Sequence, residues 1–135
     1  MSEEHGKTNT LSALIQSMLL PLCSECYRDT APDTACFPHV VWELASVDLG
    51  DLHRDDFFLD VDVWDRGTSA VRADDLMDRI EATFRTKNLP QDTILPTFYV
   101  QSRKNLPDAD KRLKHRQITI MVQNYERNQG VLTNG

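Results

Sequence analysis

FFLDVDVWDRGTSAVRADDLMDRIEATF, residues 57–84, decides the fold. Its first half alternates. Phe57, Leu59, Val61 and Val63 face one way, and Phe58, Asp60, Asp62 and Trp64 face the other. Successive strand side chains point to opposite faces, so Phe57–Asp65 reads as a half-buried antiparallel strand with one wet face. Arg66-Gly67-Thr68 is a turn, with Thr68 or Ser69 available to cap a helix. Beyond it the apolar period lengthens. Ala73, Leu76, Met77, Ile80 and Phe84 form one stripe at helical spacing, which predicts a helix over about 69–87. Asp74 and Asp75 sit at its positive end and Arg85 and Lys87 at its negative end, complementing the macrodipole.

On the N-terminal side of this stretch, His39–Val47 (HVVWELASV) is rich in β-branched and aromatic residues, with Val40, Trp42 and Leu44 on one face. Thr97–Arg103 and His115–Tyr125 read as two further strands, the last with Ile118, Ile120 and Val122 inward. Lys104–Lys114 between them reads as a long basic loop. Near the start, Leu11, Leu14, Ile15, Met18 and Leu22 recur at helical spacing after Thr10, a plausible N-cap. Pro21 predicts a kink, or a stop near Leu20 and a short turn to Tyr27. The order is α-β-β-α-β-β. It predicts an α+β domain: a mainly antiparallel four-stranded sheet with two helices packed on one face. The expected boundaries are a flexible arm over 1–9, one domain over 10–126 and a flexible tail over 127–135.

The opposite sheet face would carry Asp60, Asp62, Gln117, Thr119 and Gln123 together with Phe58, Trp64 and Met121. That mixture is too apolar for a simple solvent face and suggests a protein-contact surface. The 135 residues carry 15 basic and 21 acidic side chains, net −6, which argues against a general nucleic-acid binder. The charge is uneven. Residues 1–60 hold 3 basic and 11 acidic residues, whereas Arg103–Arg116 holds 6 basic and 2 acidic. Glu43–Asp65 holds 8 acidic residues against the single base Arg54. The basic stretch lacks the interleaved aromatics of a single-strand nucleic-acid groove. An acidic protein surface is its alternative partner, and two solvated loops would account for the same charges. No apolar run approaches a membrane span, and no signal peptide opens the chain.

Cys23-x-x-Cys26 and Cys36-x-x-His39 have a spacing that could hold Zn²⁺, which makes a small zinc-binding regulatory module one alternative. Three ordinary thiols and a surface histidine are the stronger reading, because the pairs fall at a helix end and a strand start. Asp60 and Asp62 lack a His, Lys or phosphate-loop partner set. The serines lack a nucleophile elbow. Nothing signals an enzyme, a metal site or a cofactor.

Three passages carry a resemblance to a known family: FPHVVWELAS at 37–46, the 57–84 stretch, and RQITIMVQNYE at 116–126. Together with the element order, they resemble the tail terminator, or tail-completion, proteins of tailed bacteriophages, which join tails to heads. The resemblance implies a structural protein found in host cytoplasm during assembly and then in the virion. It implies a hexameric ring on the last tail-tube ring, monomeric when isolated, that stops polymerisation and meets the head connector. A neighbouring head–tail connector or other minor tail protein is the alternative within the same setting. The implied partners are other copies, the tube protein and the connector, with no membrane and no sequence-specific nucleic acid. In that ring Asp51, Asp55, Asp56, Asp60 and Asp62, with Trp64 beside them, would face a neighbour's Arg103, Lys104, Lys111, Arg112, Lys114 and Arg116.

Overall fold

A computed structural model describes residues 6–47, 54–85, 87–90 and 94–126. Asp51 and the expected C-terminal tail lie outside these residues, as do positions 1–5 of the expected arm.

The 57–84 stretch forms the two expected elements. β3 spans Arg54–Arg66 and α2 spans Val71–Phe84. The helix stops short of Lys87 because Arg85 takes an extended conformation. Its stripe of Ala73, Leu76, Met77, Ile80 and Phe84 is buried throughout. At the turn between the two elements Gly67 has φ +153°, a region that favours glycine, and its N–H donates to the Arg112 carbonyl at 2.8 Å.

β2 covers His39–Val47 as expected. α1 spans Lys7–Leu19, so Lys7–Asn9 belong to the helix and not to an arm. Gly6 is the N-cap, and Thr10 lies one turn inside with its hydroxyl donating to the Gly6 carbonyl at 3.2 Å. Thr10 is therefore not the cap. The helix ends before Pro21, and the chain then turns, Leu22 and Cys23 both donating N–H to the Leu19 carbonyl. The expected turn to Tyr27 ends instead in a short strand, β1 at Cys26–Arg28.

The basic loop is shorter than expected. β5 runs over Ile94–Leu106 and β6 over Leu113–Glu126, leaving only 107–112 between them. β4 is the two-residue strand Lys87–Asn88. The sheet is therefore six-stranded, not four, in the order β1-β2-β3-β6-β5-β4. It is mixed, because β1 pairs parallel to β2 while every other neighbour is antiparallel. The extra strands are short edge strands, whose two or three residues carry no readable alternation.

Register explains the core. Trp42, Val61 and Ile118 lie side by side across three strands, as do Leu44, Leu59 and Ile120. Phe57, Val122 and Phe98 continue the same face. That face and the stripes of both helices form one buried cluster, so the two helices do share one side of the sheet. The Trp42 indole N–H donates to Gln16 Oε1 at 2.7 Å, tying the sheet to α1. Phe84 meets Phe98 edge to face, with centroids 5.2 Å apart.

Candidate functional site: the uncovered sheet face and the β5–β6 hairpin

The outer sheet face carries no helix among the described residues. Cross-strand neighbours build it in rows: His39–Trp64–His115–Leu106, then Val41–Asp62–Gln117–Lys104, then Glu43–Asp60–Thr119–Ser102, then Ala45–Phe58–Met121–Tyr99. Most of these side chains are half-buried, and Tyr99 and Tyr125 are exposed. Trp64 stacks on His115 with centroids 3.8 Å apart and planes 16° apart. His115 Nε2 lies 3.4 Å from Asp62 Oδ2, and Thr119 Oγ1 donates to Asp60 Oδ1 at 2.7 Å. His39 sits next to Trp64 in the row, and burial holds its imidazole below the usual range. His39 Nδ1, Asp62 Oδ1 and His115 Nε2 are buried with no hydrogen-bond partner among the described residues.

The expected interface acids separate into distinct environments. Asp60 and Asp62 lie on the outer face as expected. Asp55 points to the helix side, where Lys7 Nζ approaches to 2.6 Å. Asp56 is only 2% exposed and is held by Arg54, whose Nη2 donates at 3.1 Å.

The basic residues separate as well, for a structural reason that alternation alone conceals. A bulge in β5 between Val100 and Ser102 shifts register by one residue at Gln101. It turns Arg103 onto the helix face, where its Nη1 donates to Asp78 Oδ1 at 2.7 Å and Glu81 Oε1 at 2.9 Å. Arg116, inward on β6, donates to Asp74 Oδ1 at 2.8 Å. These two arginines clasp α2 from below. Lys104 is exposed on the outer face, and Lys111 and Arg112 are exposed on the loop. Lys114 is half-buried and its ammonium donates to the Lys111 carbonyl. Lys111, Lys114 and Arg116 also line a cleft of about 470 Å³ with Thr68, Ala70 and Leu106, between the hairpin and the start of α2.

Sequence reasoning missed the fastening at the β3–α2 corner. Asp65 has core parity, continuing Leu59, Val61 and Val63, and is 2% exposed. Arg72 binds it through Nε at 2.9 Å and Nη2 at 2.5 Å, and the Arg66 N–H donates to it at 2.8 Å. The Arg72 hydrogen bonds hold its carboxyl below the usual range. An acid on the apolar parity of a strand, with an arginine seven residues on, was the signal that could have found it.

The Cys/His set does not converge. Cys26 is buried and its thiol points at Gln16 Oε1, whereas Cys36 is exposed. Burial pushes the Cys26 thiol up to about 12 and raises Cys23, which disfavours the thiolates a metal needs. Among the described residues, no three His, Cys, Asp or Glu side chains are grouped to hold a metal ion. None of the described helices is long and apolar enough to cross a membrane.

The chain is a small α+β domain with one helix-covered sheet face and one aromatic, charged face that no described helix covers. The chain belongs to the tail completion protein gp17 family, which matches residues 7–123. It is thus a bacteriophage tail-completion protein, with a part in tail assembly. Among solved structures, its fold is similar to that of a chain in the virion of a native gene transfer agent (GTA) particle. The TM-score is 0.74 at 10% identity, over 90% of this chain and 99% of that chain. No curated protein matches the sequence.

Proposed function

We propose that this protein caps the tail tube as a ring, ends its polymerisation and joins tail to head. The observation that supports this most directly is the family match over 7–123, together with a sheet face that no described helix covers. The protein acts as a structural part of the virion without catalysis. It assembles in the host cytoplasm from isolated monomers, six to a ring, with the tube protein below and the head connector above.

Subunit contact in this reading is heterologous, an acidic surface of one copy against a basic surface of the next, which closes as a ring. Glu43, Asp60 and Asp62, with Trp64 beside them, supply the acidic side. Lys104, Lys111, Arg112 and Lys114 supply the basic side. Arg103 and Arg116 serve chiefly to hold α2, so they position the hairpin.

Electron microscopy of tails made without this protein tests the reading. Overlong tails without heads are expected. Tails of normal length attached to heads would overturn it.

A further inference from the structure

The sheet ends in two open edges of opposite charge. β5 has 13 residues, but its outer neighbour β4 covers only Phe98 and Thr97. Beyond the bulge, Ser102–Leu106 has no strand on that side among the described residues. At the other end, β1 covers only Val40–Trp42 of β2. Glu43–Val47 is likewise open among the described residues. The two open runs are equal in length. An exposed edge presents unpaired N–H and C=O groups, a template for another strand.

Strand direction permits the two edges to meet. β2, β3, β6 and β5 are successively antiparallel, so β5 runs opposite to β2. A second copy placed beside the first in the same orientation brings its β2 edge antiparallel to the first copy's β5 edge. Both helices stay on one face, so the outer faces remain aligned. Full overlap of the two runs sets Lys104 opposite Ala45 with Glu43 diagonal to it. A slip of two residues sets Lys104 directly opposite Glu43 and shortens the paired run to Ser102–Lys104 with Glu43–Ala45, because β1 covers Val40–Trp42. Both keep the lysine and the glutamate on one face, within reach of each other.

We infer that neighbouring copies join by β-strand addition, Ser102–Leu106 of one pairing antiparallel with Glu43–Val47 of the next. This rests on the proposed ring and names its junction. The bulge and the Lys104 charge guard the β5 edge against indiscriminate pairing, and an acidic partner edge relieves that guard. The open edge is thereby specific for a second copy of this chain.

Paired cysteines test the junction in the full chain with the exposed thiol removed by Cys36→Ser. One variant carries Ala45→Cys with Lys104→Cys, the other Glu43→Cys with Lys104→Cys, one for each register. The variants are oxidised mildly on purified tails, whose ends are also imaged. A ladder of covalent multimers from either variant, absent from the single-cysteine controls, is the expected result. Rings at tube ends with no ladder from either variant would overturn the strand junction and leave the ring reading standing. Wild-type tails bearing no ring at all would overturn both.

Discussion

Asp65 shows most clearly how a single side chain holds the molecule. A buried carboxylate is tolerated only when its oxygens are hydrogen-bonded, and here a two-pronged arginine and a backbone N–H satisfy them. Asp65→Asn keeps the shape and removes the charge. We expect it to cost about 1.5–3 kcal/mol in urea unfolding, the range for a hydrogen bond to a charged group. The sign of the pH dependence is set by the depressed pKa. The folded carboxyl titrates below its unfolded value, so its stabilisation is complete above about pH 4 and fades as pH falls through the folded pKa. Wild type and Asp65→Asn should therefore converge in stability as the solution is acidified below about pH 4. Parallel curves there would assign the acid sensitivity to other groups. The thiols make a second residue-scale prediction. Cys36 is exposed, whereas burial holds Cys26 at about 12. A thiol reagent at neutral pH should label Cys36 quickly and Cys26 only after unfolding, read by mass spectrometry.

At the scale of elements, α2 is held by two kinds of force of unequal strength. Its apolar stripe is fully buried against β3 and β6, and Ile80 is 0% exposed. Ile80→Ala should cost about 2–5 kcal/mol, the cost of deleting a buried aliphatic side chain and leaving a cavity. The ion pairs of Arg103 with Asp78 and Glu81 lie nearer water. Arg103→Gln should cost under about 1 kcal/mol and lose that cost in high salt, because solvent screens such pairs. Thermal unfolding at low and high salt separates the two. A large, salt-independent loss for Arg103→Gln would show that the bulge which turns it inward is structurally indispensable.

For the whole molecule, the sum of −6 conceals an uneven distribution along the chain, acidic over Glu43–Asp65 and basic over Arg103–Arg116. Reversing Lys111, Arg112 and Lys114 to Glu changes two exposed loop charges and one half-buried charge at the start of β6, none of them in the buried core cluster. The triple variant should fold with near wild-type melting temperature and fail to form rings on tube ends in electron micrographs. Intact rings would refute the part given to these residues in subunit contact. Salt should weaken assembly for the same reason, since complementary surface charges are screened over about 8–10 Å at physiological ionic strength.

The hydrophobic periods were enough to specify four long strands, both helices and the face they share, because burial imposes a period of two on a strand and near four on a helix. The acidic and aromatic character of the open face was legible for the same reason: it is the other half of the alternation. The short edge strands were not legible, since Cys26–Arg28 and Lys87–Asn88 pair only because longer strands present them a ladder. The site residues divide the same way. Asp60 and Asp62 reach the open face by simple alternation, and Asp55 and Arg116 reach the helix side by the same rule. Arg103 turns to the helices and Lys104 to the open face, and only tertiary structure decided that. One bulged residue inverts the parity of everything after it in β5, and helix carboxylates or a helix lysine then supply the partners. Local pattern determines which residues are buried, whereas register and packing determine which charges remain free to meet another molecule.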